Sequence, residues 1–177
     1  ENWSRTKSEI IGLMDLFGKY ISKNLEEMIS VGIKITFLGS KDKLSDKIIS
    51  LIDKASEKSK HNDKFYLNIA INYGGRDEIV RAVRKIASKV KKGLINVDEI
   101  DERTFSLMLD TSSQSDPDLI IRTAGEQRLS NFLPWQSAYS EFYFSEVEWP
   151  EFNRIEFIKA LESYKSRVRS FGAVAGE

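Results

Sequence analysis

The sequence contains no cysteine and only one histidine, His61, and these two absences exclude several kinds of chemistry. Without cysteine the chain forms no disulfide and has no thiol nucleophile. A single histidine excludes a metal site built from several histidines and disfavours a Ser-His-Asp triad. His61 itself lies in the polar run SEKSKHND, which is typical of a solvated loop. The chemistry must therefore depend on other residue types.

The sequence also lacks an excess of charge of either sign and a long hydrophobic run. Lysine and arginine number 27, as do aspartate and glutamate, so no global field favours nucleic acid and we expect no such partner. An anion site, if there is one, must be local. No apolar run approaches the ~20 residues that cross a bilayer, and no signal peptide is visible. A chain of 177 residues, 41% of them hydrophobic, is typical of one soluble domain.

Hydrophobic patterns along the chain alternate between the periods of helices and strands. Helices of ten or more residues between strands predict βαβ units, an α/β fold and a mainly parallel sheet. A shorter helix is predicted within 97–109. The predicted long helices cover residues 8–30, 43–60, 77–92 and 154–169, and the predicted strands before residue 100 are Ile33–Leu38 and a buried Phe65–Tyr73.

The first predicted helix is apolar on more than one side. Seven apolar residues form a single stripe, and Ile11, Leu16 and Tyr20 add a second stripe beside it. Such a helix either lies between two layers of protein or turns one face towards an apolar ligand, and the pattern leaves both interpretations open. The first stripe consists of Ile10, Leu13, Met14, Phe17, Ile21, Leu25 and Met28.

The most informative segment runs from Asp118 to Phe152. It begins with a short apolar strand, which is followed by a loop carrying Arg122, Arg128 and Ser130. Open α/β sheets bind phosphorylated ligands just beyond the carboxyl ends of their strands. Guanidinium groups bind phosphate oxygens in a bidentate manner, so this loop is a candidate diphosphate site. The alternative is that the arginines form surface ion pairs, with Glu126 as the candidate partner of Arg128.

Two other groups are candidates for the same chemistry. Glu141 lies among aromatic residues in AYSEFYF, and a partly buried carboxylate needs a cation as its partner, either a metal ion or a neighbouring arginine. Mg²⁺ is suited to a carboxylate combined with phosphate oxygens. Gly74, Gly75 and Arg76 follow the second strand, and the pattern favours a tight strand-to-helix turn with an exposed arginine over a second phosphate loop.

Three motifs together make the chain resemble the cis-prenyltransferase family. They are ENWSR at 1–5, NYGGR at 72–76, and the block DPDLIIRTAGEQRLSNFLPWQSAYSEFYFSEVEWPEF from Asp116. The last block is long and specific, and the resemblance spans nearly the whole chain in order. Two positions depart from the family pattern. Ala124 replaces the usual glycine, which is expected to stiffen the loop, and Asp77 replaces the usual tryptophan, which is expected to concern packing.

The resemblance implies an enzyme that adds isopentenyl diphosphate to an allylic diphosphate primer, such as farnesyl diphosphate, with a new cis double bond at each step. Position by position, it implies that Mg²⁺ binds at Glu141 and that Asn2 takes part in proton removal. A neutral amide is a poor base, so a relay through water or a diphosphate oxygen is the easier route. The residues implied in substrate binding are Glu1, Trp3, Arg5, Arg122, Arg128, Leu129 and Ser130.

The same resemblance implies how the protein assembles and where it works. The fold is expected to be that of undecaprenyl diphosphate synthase, with an apolar tunnel whose walls include residues 10–28 and 65–71. A homodimer is expected, with the C-terminal block near the partner. The product is expected to be a long polyprenyl diphosphate, most simply undecaprenyl diphosphate for the cell-envelope lipid carrier. A cytoplasmic enzyme that works at the inner face of the membrane suits a soluble substrate and a lipid product.

The family's N-terminal strand and its Asp-Gly-Asn loop, which binds the allylic diphosphate, have no counterpart in the sequence. We therefore expect one domain over 1–177 that holds the isopentenyl half of the site and is inactive on its own; turnover of labelled isopentenyl diphosphate would contradict this. The alternative is a non-catalytic partner subunit, which the retention of ENWSR, Arg122, Arg128, Ser130 and Glu141 disfavours. An unrelated phosphate-binding hydrolase would need a nucleophile that the sequence does not offer.

Overall fold

The computed structural model describes residues 6–168, so Glu1, Asn2, Trp3 and Arg5 lie outside the described residues. Helices and strands alternate as predicted. The long helices are α1 (Lys7–Ser30), α2 (Asp46–Ser59) and α3 (Gly75–Lys91), followed by the short α4 (Glu102–Ser106) and by α5 (Arg154–Lys165). The strands are β1 (Ile33–Leu38), β2 (Phe65–Ala70), β3 (Leu119–Arg122) and β4 (Glu141–Phe144), and 3₁₀ turns cover Val97–Glu99 and Trp149–Glu151.

The strands form two separate parallel pairs within the described part of the chain. β1 pairs with β2 from Ile33 opposite Phe65 to Leu38 opposite Ala70. β3 pairs with β4 from Leu119 opposite Glu141 to Arg122 opposite Phe144. Both pairs are parallel, so the α/β class and the parallel strand pairing are confirmed.

Helix α1 begins with a capping box, in which Thr6 accepts from the backbone N–H of Glu9 and the Glu9 carboxylate accepts from the backbone of Thr6. Its first apolar stripe supplies Ile21 and Leu25 to the core between α1, α2 and β1. Its second stripe faces outwards, with Leu16 66% exposed. Part of the predicted tunnel wall is therefore exposed, and the tunnel stays a prediction.

Two predicted elements needed correction. β2 was predicted as a buried strand to Tyr73, but it ends at Ala70, and Phe65 and Tyr66 are exposed because α1 and α2 pack mainly against β1. The second helix was predicted to begin at Lys43. It begins three residues later, because Lys43 has a φ of 65° and Ser45 caps the helix.

Candidate functional site

The base of the candidate loop is held by the segment that follows β4. Beyond β3 and β4, the Ala124 N–H donates to the Val147 carbonyl and the Gly125 N–H donates to the Ser145 carbonyl, each at 2.9 Å. The Ser145 N–H donates in turn to the Arg122 carbonyl at 2.8 Å. These bonds continue the ladder of the strand pair into the loop. The backbone of Arg122, the last residue of β3, is therefore fixed, as a binding residue requires.

The structure brings two of the predicted binding residues into direct contact. The Arg122 Nη2 lies 3.4 Å from the Ser130 hydroxyl, so the guanidinium and the hydroxyl face the same space. Leu129 lies between Arg128 and Ser130 in the sequence and is half-buried. Arg128 instead forms an ion pair with Glu126, which is the alternative that the sequence left open. The Arg128 side chain is 66% exposed, so the pair is weak enough to open for a stronger anion.

Glu141 lies apart from the other predicted site residues. It starts β4 opposite Leu119, whereas Arg122 ends β3, so about three residues of strand, or ~10 Å, separate the two positions. Its carboxylate accepts from Arg167 Nη1 at 2.6 Å, and Arg167 Nη2 donates to the Phe142 carbonyl. This is the arginine partner that the sequence offered as an alternative to a metal ion. The metal-binding role of Glu141 stays a prediction.

The described residues do not by themselves fit a resident Mg²⁺ ion. Residues 6–168 contain no group of three or more His, Cys, Asp or Glu side chains placed to hold a metal ion. Glu141 is already bound by Arg167. A Mg²⁺ ion that arrives with a diphosphate needs fewer protein ligands, since one or two carboxylates and the phosphate oxygens suffice. The donor set therefore suits a metal–diphosphate complex better than a metal ion alone.

The 130–134 segment has an unusual backbone. Ser130, Asn131 and Leu133 have φ values of 46°, 63° and 48°, in the left-handed region that costs an L-residue roughly 1–2 kcal/mol. Such conformations persist only where the surroundings hold them, and they cluster at functional sites. The segment carries Ser130, one of the predicted diphosphate ligands. Its conformation therefore has to be held by neighbours.

Those neighbours are the first residues of α3. The Gly75 N–H donates to the Asn131 carbonyl at 2.8 Å, and the Arg76 N–H donates to the Asn131 side-chain Oδ1 at 2.9 Å. A Cβ on Gly75 would lie 2.0 Å from Pro134 Cδ, so only glycine permits this approach. The NYGGR motif thus forms the tight turn with an exposed Arg76 that the sequence favoured. It also holds the Ser130 segment in place, which the sequence did not indicate.

A buried polar network is centred on Glu78, in the first turn of α3. The Glu78 side chain is 1% exposed, and its carboxylate accepts from the Asp110 N–H at 2.7 Å, the Tyr73 hydroxyl at 2.6 Å and Gln136 Nε2 at 3.1 Å. Burial raises the pKa of Tyr73, and its hydrogen bond to Glu78 raises that pKa further. Gln136 also donates to the Thr111 hydroxyl at 2.9 Å. The network fixes the far end of the 130–136 segment to α3.

A parallel α/β fold with two guanidinium groups and a hydroxyl in the loop after a strand is typical of proteins that bind phosphorylated ligands. A sequence profile of the family described as "Putative undecaprenyl diphosphate synthase" matches residues 1–172. The isoprenyl transferase of Aquifex aeolicus (strain VF5) is 46% identical over 177 residues, which cover 100% of this chain and 74% of that protein. The isoprenyl transferase of Bacillus subtilis (strain 168) is 44% identical over 174 residues, covering 98% and 67%.

Two solved structures share the fold. Lavandulyl diphosphate synthase from Lavandula x intermedia, crystallised with dimethylallyl diphosphate, superposes with a TM-score of 0.93 at 39% identity and covers 97% of this chain and 74% of its own. A probable undecaprenyl diphosphate synthase from Campylobacter jejuni gives 0.84 at 36% identity, covering 97% and 78%. The chain therefore belongs to the undecaprenyl diphosphate synthase family, and it is a cis-prenyltransferase.

Among residues 6–168, no helix is both long enough and apolar enough to cross a bilayer. The predictions for Glu1, Asn2, Trp3 and Arg5 concern positions outside the described residues, so they stay predictions.

Proposed function

We propose that the loop after β3 binds isopentenyl diphosphate for cis-prenyl chain elongation. The observation that carries this proposal is the contact between Arg122 and Ser130 at the carboxyl end of a parallel strand. Arg122 and Ser130 grip one face of the diphosphate. Arg128 leaves Glu126 and binds the same group, because a diphosphate offers more charge than one carboxylate. Leu129 lies beside these ligands and shields them from water.

In the reaction, a new bond joins C4 of isopentenyl diphosphate to C1 of the allylic primer, whose diphosphate departs with the electron pair of the C1–O bond. A proton then leaves C2 of the isopentenyl unit to form the cis double bond. Holding the diphosphate by three polar groups fixes the position of the alkene, and such positioning supplies much of the rate enhancement in two-substrate reactions. Glu1, Asn2, Trp3 and Arg5 are proposed to contact the substrates, with Asn2 in the path of the departing proton.

The proposal is tested by measuring, by calorimetry, how tightly isopentenyl diphosphate binds to this protein and to its Arg122→Ala and Arg128→Ala variants. Removal of a charge-assisted hydrogen bond costs about 1.5–3 kcal/mol, so each variant is expected to bind roughly tenfold more weakly or worse. Arg84→Ala, on the exposed side of α3, is the matched control for a lost positive charge. Wild-type affinity in both loop variants would remove this loop from the site.

Mg²⁺ is proposed to reach the site bound to the diphosphate, with Glu141 as its protein ligand after Glu141 leaves Arg167. The ion would supply charge neutralisation on the phosphate oxygens. The test compares the gain in pyrophosphate affinity that Mg²⁺ produces in the wild type and in Glu141→Gln. The gain should fall in Glu141→Gln if the carboxylate binds the ion. An equal gain in both proteins would leave Glu141 as the partner of Arg167 alone.

The protein is also proposed to form a homodimer. β4 and α5 expose the apolar side chains Phe144, Phe157, Ile158 and Leu161, which suit the interface of a homodimer. Sedimentation equilibrium with Phe157→Glu tests this, since a dimer through this face should dissociate.

The outward stripe of α1 is proposed as a wall of the product tunnel. The product is proposed to be undecaprenyl diphosphate, made by a cytoplasmic enzyme at the membrane surface. Chromatographic sizing of the products tests the chain length.

A further inference from the structure

A cavity lies between the start of α3 and the loop that carries the diphosphate ligands. Its volume is about 380 Å³, within the ~300–1,000 Å³ that small-molecule sites occupy. Its lining includes Leu129 and Ser130 from the loop, but it also includes Arg76 from α3. The family resemblance implies no substrate contact for Arg76. A ligand on the Ser130 hydroxyl would share this cavity with the Arg76 side chain.

The backbone of Arg76 is fixed relative to Ser130. Its N–H donates to the side chain of Asn131, the residue that follows Ser130, at 2.9 Å. Gly75 approaches the same segment so closely that a Cβ would collide with Pro134. Arg76 therefore cannot move away from the Ser130 segment without breaking these contacts. Its guanidinium is the flexible part, and it is exposed to solvent at the cavity.

The positive charge of the loop is smaller than the negative charge of a bound diphosphate. A single phosphate group carries ~1.5–2 negative charges at neutral pH, and a diphosphate carries more. In the loop, Arg128 has to leave Glu126 before it binds the ligand, and the released Glu126 carboxylate then offsets part of the positive charge of Arg122 and Arg128. The Glu146 carboxylate, beside Gly125, lowers the local potential further. Two loop arginines alone would therefore leave a bound diphosphate with excess negative charge.

Arg76 is suited to supply the missing charge. Among residues 6–168 its side chain makes no ion pair or hydrogen bond, whereas Arg81 on the same helix is bound by Asp77 and Asp110. An arginine without a carboxylate partner can bind a phosphate without first giving up another contact. We propose that Arg76 is a third guanidinium ligand of the diphosphate, opposite the loop that carries Arg122 and Ser130. This inference rests on the proposed function and adds a binding residue to the same site.

The test measures the affinity of the protein for inorganic pyrophosphate and for isopentenyl diphosphate by calorimetry at low salt. Arg76→Ala is expected to weaken both by roughly tenfold or more, the size of a lost charge-assisted contact. Arg84→Ala is the matched control: it removes the same charge from the same helix, about 12 Å further along. It is expected to change either affinity by less than twofold. Arg76→Lys keeps the charge but loses the planar fork, so an intermediate loss is expected.

The outcomes separate this inference from the proposed function. If Arg122→Ala weakens binding while Arg76→Ala behaves like Arg84→Ala, the loop binds the diphosphate and Arg76 does not. If the wild type fails to bind, or if Arg122→Ala and Arg128→Ala bind as the wild type does, both proposals are wrong. Thermal unfolding checks that the variants are folded: Arg76→Ala should unfold with Arg84→Ala, since neither side chain bonds to a described residue. Loss of affinity without loss of stability supports Arg76 as a ligand.

Discussion

At the scale of single residues, Ala124 departs from the family pattern, and the departure puts strain on the backbone of the loop. The resemblance indicated an alanine where the family has glycine, and the structure gives this alanine a φ of 62°. The left-handed conformation costs an alanine roughly 1–2 kcal/mol and a glycine almost nothing. The hydrogen bond from its N–H to Val147 keeps the loop in place at this cost. The loop of Arg122 is thus stiffer, and more strained, than a glycine would make it.

Replacing this residue by glycine tests the strain directly. Ala124→Gly removes the strain but gives the unfolded chain about 0.4–1 kcal/mol of additional entropy, so the free energy of unfolding should stay level or rise by up to ~1.6 kcal/mol. Ala87→Gly, at an exposed position inside α3, is the matched control and should lower it by about 1 kcal/mol. Denaturant unfolding of both variants measures the difference. Equal destabilisation by the two substitutions would show that Ala124 stores no strain.

At the scale of elements, the contact between the start of α3 and the 130–134 segment joins two motifs that are 55 residues apart. The Asn131 side chain and carbonyl satisfy the first two N–H groups of α3, which a helix cannot satisfy by itself. The same hydrogen bonds fix the segment that carries Ser130, in which three residues have a positive φ. Tyr73 and Phe132 pack edge to face at 6.0 Å across the same contact. The helix thus positions the diphosphate loop.

Asn131→Ala should separate this positioning role from a purely structural one. The variant loses the bond to the Arg76 N–H, so it should be less stable by about 1 kcal/mol, and it should also bind isopentenyl diphosphate more weakly because Ser130 is no longer held. Asn62→Ala is the control. Asn62 donates to the carbonyls of Ile29 and Ile33, on the α1–β1 side of the molecule, so it should lose stability but keep its affinity.

The two measurements decide between the roles. Isopentenyl diphosphate affinity is read by calorimetry and stability by denaturant unfolding, each on both asparagine variants. A loss of affinity that is confined to Asn131→Ala supports positioning by the helix. If both variants lose stability and neither loses affinity, α3 does not position the loop.

The sequence predicted the elements well and the contacts between them only in part. β3 and the loop after it were predicted, because an apolar run followed by small and polar residues is a local signal. Glu78 was missed: in the sequence it is one acidic residue in a helix rich in charge, yet it is buried against Gln136, 58 residues away. The glycine pair at 74–75 was the available signal, because only close packing against a neighbour requires glycine there. No local pattern identifies which neighbour that is.

At the scale of the whole molecule, Asp110 joins the β1–β2 half to α3. Its carboxylate accepts from the Gly39 N–H at 3.0 Å, at the end of β1, and from both Nη atoms of Arg81 at 2.7 and 2.6 Å. The β1–β2 and β3–β4 pairs do not hydrogen-bond to each other among the described residues, so side-chain bridges of this kind carry part of the connection. Burial acts to raise the pKa of Asp110. The hydrogen bonds and charge of Arg81 outweigh burial, and the pKa lies below its usual value.

This direction fixes the pH dependence that Asp110 contributes to stability. A carboxyl group whose pKa is lower in the folded state stabilises the fold above its unfolded pKa of about 3.9, and the contribution disappears as the pH falls through the folded value. Asp110→Asn should therefore be less stable than the wild type at pH 7, by about 1–3 kcal/mol, and the gap should narrow below pH 4. Denaturant unfolding between pH 7 and pH 3 measures it. Asp53→Asn, in an exposed pair with Lys41, is the control and should cost at most ~1 kcal/mol. A gap for Asp110→Asn that stays constant down to pH 3 would mean that the bridge does not depend on the carboxylate charge.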